Sequence, residues 1–308
     1  MTGTAAGIGA MLLPSVSASA MGVALLGCGS RGMAHMDVLA AYPEARIRAI
    51  CDRHDARLRL ASAYTGGTPC VDWQEAVHRA DVDAVLIALP EEVAVEAARQ
   101  ACAIGKPVAL SFPRHGASSI LAPLGGVPGA KVAFLPETIP GDWVSLRKAL
   151  ATDRLGKPAW VQLRYGPEHN LLEILTVLRE TMALESAPRI AALEHNADGR
   201  FHATIEYDNG LTMALLRDRA CVHPRITLRA EGGSAFWHNG SLFVHGIRTD
   251  QDQPAGWSSG LLAADGAAAA WITALRCGET PLCTLAATRA TQAMLAGLSP
   301  ATHGTKPV

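Results

Sequence analysis

A glycine-rich turn and one carboxylate carry the clearest chemistry in the sequence. Gly27-Cys28-Gly29-Ser30-Arg31-Gly32 has the G-x-G-x-x-G spacing that lets backbone amides approach a pyrophosphate, and Asp52 stands 20 residues beyond Gly32. In such a turn Gly27 permits the tight bend, Gly29 leaves room for the ligand and Gly32 lets a helix pack close to its strand. A carboxylate at Asp52 can accept both hydroxyls of an adenosine ribose and repel a 2′-phosphate, so NAD is favoured over NADP. Arg53 beside it can stack on adenine or pair with a phosphate, and Leu89 and Pro90 complete the expected cofactor-binding positions. The spacing alone is weak, because glycine-rich turns recur as packing devices; what strengthens it is the strand before it and the helix after it.

That strand is Gly22-Val23-Ala24-Leu25-Leu26, a continuous apolar run of the kind buried on both faces of a parallel sheet. A helix is expected from near Gly32, a second strand over Ile47 to Cys51, and helices over Asp55 to Ala63 and Asp72 to Ala80. Asp83 to Leu89 is another buried strand, Glu91 to Ile104 a helix stopped by Gly105, and Pro107 to Leu110 and Lys131 to Leu135 are further strands. Gly125 to Gly129 reads as a loop, and a helix is expected around Trp143 to Thr152. Past Pro136 the period changes. Arg200 to Tyr207 and Leu211 to Arg217 flank Asp208-Asn209-Gly210, a hairpin signal, and Ala159 to Tyr165, Arg225 to Ala230, Ser234 to His238 and Ser241 to His245 supply other strands of an antiparallel sheet. Helices are expected over Leu171 to Leu184, Ala263 to Arg276 and Leu285 to Leu298. The expected class is α/β: a doubly wound parallel Rossmann sheet over 21–136, then an α+β domain with an open antiparallel sheet over 137–308.

Composition bounds the function. With 308 residues, 49% hydrophobic and 18% charged, the chain is apolar enough for packed cores and too interrupted by charge for a membrane bundle. A net charge of -1 without a basic run gives no footprint for nucleic acid, so a small-molecule partner is expected. The seven cysteines form no C-x-x-C pair, and His195, His202, His223, His238 and His245 lack metal-ligand spacing, so neither disulfides nor a metal site are expected. Residues 1–20 form a signal-like or disordered tail, in which Ala18-Ser19-Ala20 has the form of a signal-peptidase site without a preceding positive charge. The protein is cytoplasmic as the sequence stands, and periplasmic if a twin-arginine signal begins upstream of Met1; Met21 as the true start is the alternative.

Val23 to His35, Ala49-Ile50-Cys51-Asp52, Val82 to Pro90 and Ala103-Ile104-Gly105-Lys106-Pro107-Val108 together resemble the family of glucose-fructose oxidoreductase, inositol dehydrogenase and rhizopine catabolism proteins, Gfo/Idh/MocA. Arg154 to Pro158, Trp271 to Arg276 and Pro281-Leu282 are similar to later family segments, so the resemblance covers nearly everything after residue 21. It implies hydride transfer between nicotinamide and a sugar, polyol or similar hydroxy compound, and a homo-oligomer built through the open sheet. The family's Glu-Lys-Pro, however, falls on Ser111-Phe112-Pro113, and phenylalanine can neither donate a hydrogen bond to a reacting oxygen nor move its proton. Its Pro-x-x-x-His becomes Pro90-Glu91-Glu92-Val93-Ala94, and its Asn-Arg-Arg becomes Leu135-Pro136-Glu137.

Against the family's His-x-x-Asp pair, Asn170 and Glu173 align best, with His169 one position away. His169 is the candidate base because imidazole titrates near neutrality, against the alternative of an exposed helix start. Glu168 and Glu173 read as first-turn acids that suit the helix dipole, with a catalytic role for Glu173 as the other possibility. His115 is expected to flank a helix or line the cleft, and His35 to be a packing or surface residue near phosphate. Three functions follow: an NAD-binding relative with an eroded, non-catalytic or altered site, which is favoured; an active NAD-dependent oxidoreductase; and an NAD-assisted glycosidase.

Overall fold

The computed structural model describes residues 20–112, 117–127, 131–136, 146–147, 150, 155–195, 201–238, 241–246, 255–257 and 265–298. Six strands form a parallel sheet: β1 (Met21–Leu26), β2 (Ala45–Cys51), β3 (Thr68–Cys70), β4 (Ala84–Ile87), β5 (Val108–Ser111) and β6 (Val132–Leu135). Their order, β3-β2-β1-β4-β5-β6, reverses between β1 and β4, and the crevice at the carboxyl ends of those strands is where doubly wound sheets bind ligands. The apolar runs read from the sequence are the central strands: Val23 to Leu26 and Ala84 to Ile87 are essentially inaccessible to solvent.

The connecting helices are α1 (Ser30–Ala41), α2 (Asp55–Thr65), α3 (Trp73–His78), α4 (Glu91–Ala103) and α5 (Ala117–Gly125). Helix α1 begins two residues before the expected Gly32, because Gly29 takes the extended cap conformation. Helix α4 buries Ala94, Ala97, Ala98 and Ala101, a stripe of small side chains at i, i+3, i+4 and i+7 that brings its axis close to the sheet. It ends at Gly105, whose φ of 79° is left-handed, and Lys106 then sends its ammonium onto the carbonyls of Val77 (2.6 Å) and Arg79 (2.8 Å) at the end of α3. The Gly-Lys-Pro run is thus a structural clasp. Helix α5 stands where a helix was expected after His115 and takes in Gly125, the first residue of the expected loop; the tail up to residue 19 and most of the helix expected around Trp143 lie outside the described residues.

The second sheet has eight strands: β7 (Pro158–Tyr165), β8 (Arg189–His195), β9 (Phe201–Glu206), β10 (Thr212–Arg217), β11 (Arg225–Ala230), β12 (Gly233–His238), β13 (Ser241–Gly246) and β14 (Ala255–Trp257). The hairpin at Asp208-Asn209-Gly210 forms as expected, with Gly210 at φ 87° and Glu206 opposite Thr212. One expectation is corrected. The sheet is not wholly antiparallel, because β10 lies parallel to β7, with Thr212 beside Trp160 and Arg217 beside Tyr165. After β7 the chain runs through α6 (Leu171–Thr181) and the β8-β9 pair before β10 returns in the same direction, as a crossover requires.

Two C-terminal helices, α7 (Asp265–Cys277) and α8 (Leu285–Gly297), divide their packing. Ala268, Trp271 and Ile272 of α7 share a buried cluster with Met36 and Leu39 of α1, so this helix covers the parallel sheet, while α8 lies against α6. Between them the chain closes the parallel sheet's edge: Phe134 N donates to Cys283 O at 2.8 Å, with Ala133 bridged to Thr284. Glu180 of α6 clamps the same segment, accepting from Cys283 N, Thr284 N and Thr284 Oγ1. A single buried cluster runs from Val85, Leu110 and Phe134 to Val161, Leu163 and Ile205, and so joins the two sheets.

Candidate functional site

The glycine turn is shaped by close backbone approach. Gly27 sits at φ 96°, and a Cβ there would meet the Ala88 carbonyl oxygen at 2.6 Å; one on Gly32 would lie 1.8 Å from the Gly27 oxygen. Neither position accepts a larger residue. Gly29 differs, since a Cβ there would meet nothing within 4 Å, so its surroundings are open to a ligand. Helix α1 has no side-chain cap and no acidic residue in its first turn, which leaves its N-terminal amides and dipole to an anion. Ser30 is exposed and Arg31 half-buried at this end, both beside the opening.

Asp52, buried at the end of β2, ties this turn to its strand. Its Oδ2 accepts from Cys28 N and its Oδ1 from His54 N, both at 2.7 Å. Each carboxylate oxygen keeps a further lone pair for a ribose hydroxyl. Burial, reinforced by the Asp52 charge, pushes the Cys28 thiol up to about 11, so it is a neutral packing group at physiological pH. Arg53 is exposed, Leu89 is half-buried at the end of β4, and Pro90 forms the N-cap of α4. The residues present therefore fit a dinucleotide: an open glycine, an uncapped helix and a held carboxylate converge on one crevice.

The substrate side is different. Phe112 directly follows β5, is 1% exposed, and packs its ring against Phe134 at 5.4 Å between centroids and 50° between planes. It belongs to the core. Ser111, at the crevice end of β5, places its Oγ 3.4 Å from Nε2 of His35, which is 2% exposed with Nδ1 unpartnered. Burial first, and the Arg31 charge second, lower His35 to about 4, so it is a neutral imidazole; the sequence did not distinguish a buried from an exposed position here.

His169 is half-buried, and its Nδ1 accepts from Gly166 N at 2.9 Å within the turn after β7. In that tautomer Nε2 carries the proton; in the other, Nδ1 donates to Gly166 O at 3.3 Å and Nε2 is the nitrogen able to accept a proton. Asn170 caps α6, with Oδ1 accepting from Glu173 N at 3.4 Å. Glu173 stands in the first turn of α6 as expected and is 2% exposed: leucines surround it in the sequence and α6 is buried on nearly every side. Glu168 is exposed. Pro113, His115 and Glu137 lie outside the described residues, and among those described no cluster of His, Cys, Asp or Glu could hold a metal ion.

Residues 21–113 match the Gfo/Idh/MocA group described as "Oxidoreductase family, NAD-binding Rossmann fold". A glycosyl hydrolase family 109 protein of Streptomyces niveus is 31% identical over 111 residues, a stretch that spans 33% of this chain and 22% of that relative. An oxidoreductase from Agrobacterium radiobacter, solved in complex with NAD+, L-tartaric acid and magnesium, superposes with a TM-score of 0.69 at 17% identity, over 94% of this chain and 98% of that one. A 3-ketoreductase from Actinomadura kijaniata, in complex with NADP, gives 0.61 at 17% identity, over 91% and 97%. These likenesses extend the fold across both sheets.

Proposed function

The Rossmann unit of this chain belongs to the Gfo/Idh/MocA oxidoreductase family, and from that premise we propose that the protein binds NAD in the crevice at Gly27 to Gly32 beside a catalytic centre that has lost its lysine. The observation that carries this reading is Phe112, 1% exposed against Phe134, where the resemblance expects an ammonium beside the substrate hydroxyl. Bound nicotinamide supplies a hydride donor or acceptor. The chain's own part is then to hold the pyrophosphate on the α1 amides and the ribose on Asp52, while no described side chain at the Phe112 position can take or give the alcohol proton. The Asp52 carboxylate favours NAD over NADP, although the similar structures include one with each cofactor.

The second reading is slow turnover of a sugar, polyol or related hydroxy compound with His169 as the proton-handling group, which its half-buried position after β7 supports. Losing acid-base help typically lowers rates by about 10²–10⁴-fold, so weak activity is compatible with this fold. The family 109 relative gives NAD-assisted glycoside cleavage a place as a third reading.

Thermal denaturation with NAD, NADH and NADP, followed by a screen of sugars, polyols and glycosides at the nicotinamide absorbance band, separates these readings. NAD or NADH at about 100 times its Kd is expected to add roughly 2.7 kcal/mol of stability, NADP less, and no substrate to turn over. Absence of any shift would remove NAD binding. Robust hydride transfer would remove the eroded centre, and its survival in His169→Ala would remove His169 as the base.

A further inference from the structure

Outside the dinucleotide crevice, the strongest unexplained chemistry lies in the middle of the second sheet, where β7 ends and β11 begins. Val161, Leu163 and Tyr165 of β7 face the shared core, so the alternate residue Arg164 emerges on the opposite face. Directly across the ladder, at the start of antiparallel β11, stands Arg225. Like charges in this position repel each other. Asp218 pairs with the first of the two: its Oδ2 accepts from Arg164 Nε at 3.0 Å and from Nη2, and its Oδ1 accepts from Ala220 N at 3.0 Å. Arg225 is exposed and has no ion pair among the described residues.

The two guanidiniums, with Asp218, Cys221 and His223, line a cavity of about 240 Å³, the volume of roughly eight water molecules. Its wall is fixed by backbone contacts. Asp218 N donates to Tyr165 O at 2.8 Å and Cys221 N to Asp218 O at 3.0 Å, while Cys221 Sγ donates to His223 O at 3.0 Å. The loop also lies close on the turn after β7, where a Cβ on Gly166 would come within 2.2 Å of the Cys221 oxygen.

We propose that this cavity binds a small oxyanion, a carboxylate or phosphate group, in the fork of Arg225 and beside Nη1 of Arg164, whose Nε and Nη2 are held by Asp218, at a site separate from the dinucleotide crevice. Guanidinium presents parallel N–H donors that match either group in a bidentate fashion, and an anion there offsets the repulsion across the ladder. His223 lines the same cavity and adds a ring N–H donor. The preformed loop means that little ordering accompanies binding.

Isothermal titration of the full chain, with and without NAD, tests this with succinate and inorganic phosphate as separate probes and succinamide as the neutral control. Saturable binding of at least one anion is expected, weakened by added chloride and reduced at least tenfold in Arg225→Gln, an exposed position where folding should persist. Val222→Trp, which fills the cavity without removing a charge, should produce the same loss. Binding by succinate alone marks a carboxylate site, and by phosphate alone a phosphate site. No saturable signal from either anion, or equal affinity in Arg225→Gln, overturns the proposal. So does an Arg225→Gln protein that binds no less anion but changes its assembly state, since the arginine would then serve an interface.

Discussion

At the scale of single residues, the glycines and Asp52 were legible in the sequence because backbone clearance and a held carboxylate admit few alternatives. Phe112 was legible only as the absence of a lysine; that its ring would pack on Phe134, 22 positions further along the chain, depends on contacts that no local spacing encodes. His35 was ambiguous for the same reason. Its neutrality in the folded state has a measurable consequence. The folded pKa, lowered to about 4, lies below the ordinary 6.5, so between those values the unfolded chain binds the extra proton. Stability from this group is therefore complete above pH 6.5 and is lost as pH falls toward 4, by about 3 kcal/mol in all. Urea denaturation across that range should show a shallower decline for His35→Gln than for the native protein; parallel curves would mean that His35 charges without penalty.

At the scale of elements, the central strands were legible as unbroken apolar runs, and the strands that escaped notice, β3, β8 and β14, are all edges of their sheets. An edge strand is half-solvated and lacks the buried run; β3 is Thr-Pro-Cys, with a proline that only an edge tolerates. The bounds of helix α5 were hidden by Pro123 and its run of small residues, and the parallel β7-β10 pairing depends on a crossover that local patterns do not report. The turn between β1 and α1 gives a test at this scale. A methyl on Gly32 would stand 1.8 Å from the Gly27 oxygen, so Gly32→Ala must push α1 away from its strand. We expect NADH affinity to fall at least tenfold in a fluorescence titration, with overpacking costing roughly 1–3 kcal/mol of stability. Unchanged affinity would show that the turn does not hold the pyrophosphate.

At the scale of the whole molecule, the change of period past Pro136 falls between β6 and β7, but it did not report that α7 would return to α1 or that one buried cluster would join both sheets. Calorimetry should accordingly show one cooperative transition, and two resolved transitions would mean that the shared core is not cooperative. The outer face of the second sheet carries Phe236 opposite Phe243, 41% and 48% exposed, and we expect two copies to associate there. Light scattering that returns the 32.3 kDa monomer would refute this. The seam between Phe134 and Cys283 also bears on synthesis. Strand β6 leaves the ribosome about 150 residues before the segment that closes its edge, an interval of roughly 7–30 s at the usual pace of translation. Throughout that time a nearly complete parallel sheet presents an open ladder and the bare side of α1, so the nascent chain's exposure to aggregation, and its need for a holding chaperone, is set by the last quarter of the sequence.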